Sequence, residues 1–168
     1  MTWSIVASIG DAYGVAVAGK FIAGGAVVPA AQLGVGAIAT QAMAKVSYLA
    51  DGLALLSQGV GAAETVTRLT SLDEGRDDRQ LGVVAATDQS SFTGPGCMDW
   101  AGGVTGGDAD TGYAIQGNIL VGERVVMDME RAWRDNPNLP LAPRLMQALA
   151  AGDQAGGDQR GRQSAALY

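Results

Sequence analysis

Histidine is absent from this 168-residue chain, and cysteine occurs once, at Cys97. Without histidine, the usual Ser-His and Cys-His pairs are excluded, because both use an imidazole as general base. The common zinc sites are excluded too, since they draw on several histidines and cysteines. A lone cysteine forms no disulfide within the chain, and without a histidine to activate it we expect a small buried thiol. Any nucleophile must therefore find another kind of base.

Aromatic and basic residues are also scarce. Phe, Trp and Tyr make up 5% of the chain, so its core must consist mainly of Ala, Val, Leu and Ile. The formal net charge of −6 argues against a nucleic-acid partner, which requires a basic surface. The sequence shows neither a secretory signal nor an apolar run long enough to span a membrane, so we expect a cytoplasmic protein with no membrane partner.

A threonine directly follows the initiator methionine, and this residue can support a mechanism without histidine. Once Met1 is removed, the Thr2 hydroxyl is the nucleophile and the free α-amine of the same residue is its base. The ordinary pKa of an α-amine, about 7.7–8.0, lies close to working pH. The amine can therefore take the hydroxyl proton and later return a proton to a leaving amine. A retained Met1 would block this mechanism.

Apolar runs and turn residues predict hairpins alternating with helix pairs. Strands are predicted over 3–8, 14–18, 34–39, 80–85, 90–93 and 113–116, with a further short strand beginning near 162. Helices are predicted as a pair within 47–72, broken at Gly59, and as two further segments over 121–134 and 141–151.

Two stretches are predicted as loops. The charged run 73–79 is interpreted as a solvated loop. The glycine-rich run 94–112 is long for a connection inside a compact domain, which indicates a loop with a function. It contains Asp99, Asp108 and Asp110, which suggest a metal-dependent hydrolase as a minor alternative, although their spacing matches no known ligand pattern.

Gly117 and Asn118 lie between a predicted strand and a predicted helix. A helix start of this kind favours anion binding, because backbone N–H groups and the Asn118 amide can point at one developing negative charge. The alternative is that Asn118 simply caps the helix.

Three segments together resemble the DUF1028 family of uncharacterised bacterial proteins. They are TWSIVA at 2–7, GVGAIATQ at 34–41 and GGDQRGRQSAAL at 156–167. That family is placed among the N-terminal-nucleophile (Ntn) hydrolases, so the resemblance implies an α+β fold, a four-layer αββα sandwich of two antiparallel sheets. It also implies hydrolysis of an amide bond with Thr2 as nucleophile. Family members usually continue further, so we expect one Ntn-hydrolase-like domain over 1–168 that lacks the family's C-terminal extension.

The resemblance also implies roles around the Thr2 amine. Lys20 follows the second strand, where related hydrolases place polar residues, and its charge would lower the pKa of the amine by like-charge repulsion. Asn118, together with the Gly117 backbone, is the first candidate for stabilising the oxyanion.

Four residues of the C-terminal segment complete the expected site. Asp158 and Ser164 would orient the Thr2 amine. Arg160 or Arg162 would bind an acidic group of the substrate, and the alternative for the arginines is a structural ion pair with Asp158.

Two classes of function therefore compete. The first is an Ntn amidohydrolase that acts on a small-molecule or peptide substrate, with no cofactor and no metal ion. The second is a non-catalytic module that uses the same sandwich for ligand binding or self-assembly, since a fold does not by itself imply an activity. By analogy with related sandwiches we expect a homo-oligomer.

Overall fold

The computed structural model describes residues 2–168, which form two antiparallel sheets and four α-helices. The strands are β1 (Thr2–Ile9), β2 (Ala12–Gly19), β3 (Pro29–Gln32), β4 (Gly36–Ala42), β5 (Arg79–Ala85), β6 (Gln89–Thr93), β7 (Gly102–Gly107), β8 (Thr111–Gly117) and β9 (Ser164–Leu167). The helices are α1 (Ser47–Ser57), α2 (Ala62–Ser71), α3 (Arg124–Asp135) and α4 (Leu141–Gln154). Two 3₁₀ turns lie at Gly24–Ala26 and Arg76–Asp78.

The two sheets stack face to face between two layers of helices. One sheet has the strand order β7-β8-β1-β2-β9, with β1 at its centre, and the other has the order β3-β4-β5-β6. Helices α3 and α4 pack on the first sheet, whereas α1 and α2 pack on the second. This arrangement is the predicted αββα sandwich, and the predicted hairpins and helix pairs are confirmed within it.

The core lies in three layers, and β1 contributes to two of them. Trp3 and Ile5 point toward α3 and α4, where they join the cluster that contains Trp133. Val6 lies between the two sheets with other small side chains. Because side chains alternate along a strand, Thr2 and Ser4 face the second sheet together with Val6. The pleat of β1 therefore places the predicted nucleophile on the inter-sheet side.

The glycine-rich run 94–112 is not the long irregular loop that its composition predicts. It contains β7, which pairs in register with β8 from Gly102↔Gly117 to Gly107↔Gly112. The periodicity of apolar residues is missing there because glycine replaces side chains that would collide. A Cβ on Gly106 would lie 2.2 Å from the Tyr113 hydroxyl. The loop prediction was wrong because bulky neighbouring side chains require glycine in β7, and a glycine-rich strand shows no alternation of apolar and polar residues.

The charged run 73–79 is also more than a solvated loop. Asp73 is buried, and its carboxylate accepts hydrogen bonds from Arg79 Nε at 2.9 Å and from the Tyr48 hydroxyl at 2.7 Å. Lys45 Nζ lies 3.3 Å from the same carboxylate. The Arg79 guanidinium, followed by the Tyr48 hydroxyl, holds the pKa of Asp73 well below its usual range. A sequence pattern does not reveal that these three partners converge on one carboxylate.

Acid is expected to weaken the fold through Asp73. Because folding lowers the pKa of this carboxyl, its stabilisation is present above the ordinary pKa of about 3.9 and is lost as the pH falls through the lower folded value. We expect Asp73→Asn to destabilise the protein at pH 7, and the difference from wild type to narrow progressively below about pH 5. Urea unfolding at several pH values measures both effects.

The matched control for this pH series is Asp51→Asn, which changes an exposed carboxyl on α1. The free energy of unfolding of this variant should follow that of the wild type at every pH. If the free energies of unfolding of wild type and Asp73→Asn differ by the same amount from pH 7 to pH 3, the role given to Asp73 is contradicted.

Within residues 2–168 the longest helix is α4, with 14 residues, and none of the helices is long and apolar enough to cross a bilayer.

Candidate active site

Thr2 opens the central strand of the five-stranded sheet. Its Cα partner on β2 is Gly19, and Gly19 in turn pairs with Ser164 on β9. On the other side of β1, the N–H of Asn118 donates to the Thr2 carbonyl at 3.1 Å. One end of the sheet thus gathers residues from both termini and from the middle of the chain. The predicted removal of Met1 concerns a residue outside the described range.

A fully buried group of polar side chains, here called the amide network, lies directly beneath Thr2. Its members are Ser4, Gln41, Gln80, Gln116 and Asn118, each no more than 1% exposed. Gln41 accepts from the Ser4 hydroxyl at 2.6 Å, and Gln116 Nε2 donates to Ser4 at 2.7 Å. Gln80 Oε1 accepts from Gln41 at 2.8 Å and from Asn118 at 2.9 Å. These bonds join both sheets at the end that carries Thr2.

The amide network also fixes the backbone of Thr2. Gln41 Nε2 lies 3.3 Å from the Thr2 carbonyl oxygen, which already accepts the Asn118 N–H. Gln80 Nε2 donates to the Gly117 carbonyl at 2.8 Å. Two donors on one carbonyl leave the first residue of β1 little freedom, so the direction of its side chain is fixed relative to both sheets.

Sequence reasoning missed Gln41, Gln80 and Gln116 as site residues. Each lies in a strand whose pattern otherwise predicts burial, and a search for apolar periodicity does not detect single polar residues. The available signal was the cost of burial, because a glutamine inside a buried strand requires hydrogen-bond partners.

Loss of the central glutamine is expected to destabilise the protein. Gln41→Leu leaves the buried amide oxygen of Gln80 short of a donor and the Ser4 hydroxyl short of an acceptor, which should lower the free energy of unfolding by about 2–3 kcal/mol. Urea denaturation provides the measurement, and Gln147→Leu on the exposed face of α4 is the matched control. Equal stabilities of the two variants would show that the network contributes nothing.

Asp158 and Arg160 form a two-contact ion pair beside the end of β2. The Asp158 side chain is fully buried, and Arg160 contacts it through Nε at 3.0 Å and through Nη2 at 2.7 Å. Burial alone would raise the pKa of Asp158, but the Arg160 guanidinium and the backbone N–H groups of Arg160 and Lys20 outweigh it and lower the pKa. Asp158 is therefore a carboxylate, and the structural ion pair considered for Arg160 is observed.

The other predicted residues of this segment have separate partners. Ser164 donates to the Phe21 carbonyl at 2.7 Å, so its hydroxyl holds the loop that follows β2. Arg162 pairs with Asp153 on α4 rather than with Asp158. Lys20 is exposed and directly follows Gly19, the β2 residue that pairs with Thr2.

Asn118 does not lie at a helix start, so it does not cap helix α3, and its predicted role toward an anion stays a prediction. Helix α3 begins at Arg124 with Glu123 as its N-cap, several residues beyond Asn118. In between, Leu120 is fully buried and forms a β-bridge with Asp158, which holds this stretch out of a helix. Asn118 contributes instead from the end of β8, as a member of the amide network.

A cavity of about 290 Å³ opens beside Thr2. Its polar lining residues are Thr2 and Gln41. Its apolar lining residues are Phe21, Val27, Val28, Ala42, Met43, Ala44 and Val46. The predicted nucleophile thus lies in the wall of a space that can hold part of a small molecule.

Backbone strain is concentrated around the same place. Three non-glycine residues in the described chain have positive φ: Ala23 at 55°, Ala42 at 63° and Ile119 at 52°. Ala42 lines the cavity, Ala23 lies in the loop between Phe21 and Val27, and Ile119 follows Asn118. For a β-branched residue such as Ile119 this conformation is a clear outlier. Strained backbone persists where the surrounding structure enforces it, and it clusters at functional sites.

A second cavity, of about 320 Å³, lies at the opposite end of the sheets among the hairpin turns. Two of its carboxylates have structural partners: Asp88 accepts the N–H groups of Ala62 and Ala63 at the start of α2, and Asp108 accepts those of Asp110 and Thr111 in a hairpin turn. These contacts account for Asp88 and Asp108, so this cavity is a weaker candidate than the one at Thr2.

The metal alternative is contradicted by the positions of its three carboxylates. Asp99 precedes β7 and Asp108 follows it, so about 20 Å of strand separates them. Across residues 2–168, the structure places no three histidine, cysteine, aspartate or glutamate side chains close enough together to hold a metal ion. Cys97 donates to the Arg79 carbonyl, and burial raises its pKa, which disfavours the reactive thiolate.

Comparisons with known proteins support the fold. The model of DUF1028, described as a family of unknown function, matches residues 2–168. The crystal structure of protein SPO2555 from Silicibacter pomeroyi, which carries the same family model, is 30% identical in sequence and superposes with a TM-score of 0.88. That match covers 99% of this chain and 74% of the other. No curated protein matches the sequence.

Proposed function

Since this chain belongs to the DUF1028 family, whose function is unknown, we propose its activity from the site itself: it is an N-terminal-nucleophile amidohydrolase. In this proposal Thr2, exposed by removal of Met1, attacks the carbonyl carbon of an amide. The observation that carries the proposal is the position of Thr2, which opens the central strand, has a carbonyl held by two donors and lies in the wall of a cavity.

The first chemical step forms an ester. The α-amine of Thr2 takes the proton of the Thr2 hydroxyl as Oγ1 bonds to the substrate carbonyl carbon. The resulting tetrahedral intermediate then breaks its C–N bond, and the amine group of the enzyme passes the proton to the departing nitrogen. The acyl group of the substrate remains attached to Thr2 as an ester.

The second step releases the acid. A water molecule gives a proton to the free α-amine and adds to the ester carbonyl. The C–O bond to Thr2 breaks, the hydroxyl regains its proton, and the carboxylic acid leaves. No cofactor enters either step, and one group, the α-amine, acts as base and acid throughout.

The oxyanion of both tetrahedral intermediates needs hydrogen-bond donors, and Asn118 remains our candidate. An asparagine amide has two N–H groups, and one of them donates to Gln80 Oε1. In this proposal the second donates to an oxyanion next to Thr2, with the Gly117 backbone as the accompanying candidate. We further propose that the Asp158 carboxylate, which contacts the backbone N–H of Lys20, favours the protonated amine in the intermediates.

Intact-mass spectrometry of the native protein tests the premise of this mechanism. We expect a mass that lacks Met1, and we expect an acylating β-lactone to add to the N-terminal peptide. A protein that retains Met1 throughout would end the hydrolase proposal and favour a non-catalytic binding module. The same cavity supports that second candidate, because its walls are mostly apolar and can bind a ligand without any chemistry.

A further inference from the structure

We infer that the cavity beside Thr2 accepts the acyl side of the substrate, and that this acyl group is uncharged and apolar. The inference rests on the proposed function and adds the substrate class. The volume of about 290 Å³ corresponds to the liquid volume of roughly ten water molecules, at about 30 Å³ each. A branched aliphatic or phenyl-containing acyl chain fits that size.

None of the described lining residues has a charged side chain. Besides Thr2, Gln41 is the one polar side chain among them, and its amide groups already bond within the amide network. Arg160 and Arg162 are not among the lining residues, and both are held in ion pairs. Apart from the Thr2 α-amine, which the mechanism needs as a base, the described lining residues offer a carboxylate no charged partner for the hydration it would lose, which is strongly unfavourable. An apolar chain pays no such penalty.

Large apolar side chains also stand exposed at the mouth of the cavity. Phe21 is 50% exposed, Met43 60% and Val46 52%, although all three are lining residues. They come from two separate loops, one after β2 and one after β4. An apolar rim built from two loops is the surface that an incoming apolar group would cover.

Both loops are held in place by specific contacts. Met43 donates its N–H to the Asp78 carbonyl at 3.0 Å, and Arg79 donates to the Met43 carbonyl. Ser164 holds the Phe21 carbonyl from the opposite side. The apolar mouth is therefore formed before any ligand arrives, which lowers the ordering cost of binding.

The acyl half of the substrate stays bonded to the enzyme after the first step, and for this reason the cavity is assigned to the acyl half. The amine leaves after the first step, whereas the acyl group stays bonded to Thr2 Oγ1 until water releases it. Complementarity to the acyl group acts on both steps, so the space that adjoins Thr2 contributes most when the acyl chain occupies it.

The test uses β-lactones that carry a methyl, benzyl or carboxymethyl group on the carbon next to the carbonyl. Thr2 Oγ1 attacks the lactone carbonyl, the ring C–O bond breaks, and the ring oxygen takes the proton. Intact-mass spectrometry follows the rate of acylation. We expect the benzyl probe to react at least about tenfold faster than the carboxymethyl probe, because only the carboxymethyl group must give up the hydration of a charge to enter the cavity.

Met43→Lys places a positive charge at the mouth and should lower the benzyl to carboxymethyl rate ratio by about tenfold. Met146→Lys makes the same exchange at an exposed methionine on α4 and should leave this rate ratio unchanged. Equal rates for the three probes, or a faster carboxymethyl probe, with Thr2 still acylated would overturn the inference alone. No acylation of Thr2 by any probe would overturn the proposed function, and the inference with it.

Discussion

Thr2→Ala is expected to abolish acylation by β-lactones and to reduce any amidase activity by at least about 10⁴-fold. Alanine is also small enough to permit removal of Met1, so this variant keeps a free α-amine and lacks the hydroxyl alone. The expected loss therefore reports on the nucleophile, and the base is unchanged. The fold should remain intact, because the donors to the residue-2 carbonyl act on the backbone.

Thr2→Ser and Cys97→Ser are the matched variants for this experiment. Thr2→Ser restores a hydroxyl and should restore acylation at the N-terminal peptide. Cys97→Ser removes the single thiol, whose pKa is raised by burial, and should react like the wild type. Modification of Thr2→Ala at the wild-type rate would place the nucleophile elsewhere, and peptide mapping would identify it.

Trp3→Ala is expected to cost about 3–5 kcal/mol of unfolding free energy, the range for removal of a large buried aromatic side chain. Trp3 is 1% exposed and its indole N–H donates to the Leu149 carbonyl at 3.2 Å. Its ring also packs on Gly157, where φ is +54° and a Cβ would lie 2.9 Å from the indole. Loss of the ring would leave a cavity between β1, α4 and the loop that carries Asp158.

Urea denaturation measures this effect, and two further variants calibrate it. Trp3→Phe keeps most of the packing and should be intermediate, which keeps the experiment informative if Trp3→Ala does not fold. Trp100→Ala removes a partly exposed tryptophan at the edge of the same cluster and should cost less. A larger loss from Trp100→Ala than from Trp3→Ala would contradict the central position of Trp3.

The elements with strong local patterns were predictable. Apolar spacing located α1, α2 and α4 within a few residues, and alternation with turn residues located the β1–β2 and β5–β6 hairpins. One failure has a clear cause. In β7 the glycines that make room for Tyr113 erase the pattern, so a distant contact determines the local conformation. Helix α3 begins at Arg124 rather than at the predicted Val121, and just before it Leu120 forms a β-bridge with Asp158.

The candidate site also has features that were predictable from the sequence and features that were not. The sequence by itself determined the chemistry that is available: no histidine, one thiol, and a hydroxyl that can share its residue with a free amine. These are properties of composition and chain position, so they need no fold. Family resemblance added the sandwich and the residues near both termini.

Only the tertiary structure decided which groups meet. Ser4, Gln41 and Gln80 come from β1, β4 and β5, and Gln116 and Asn118 come from the end of β8. The stacking of two sheets brings these side chains, from four separate parts of the chain, into one network under Thr2. The apolar mouth likewise combines loops after β2 and β4. Contacts between residues so far apart depend on sheet register and on the pleat of each strand, and no local pattern in the sequence records either.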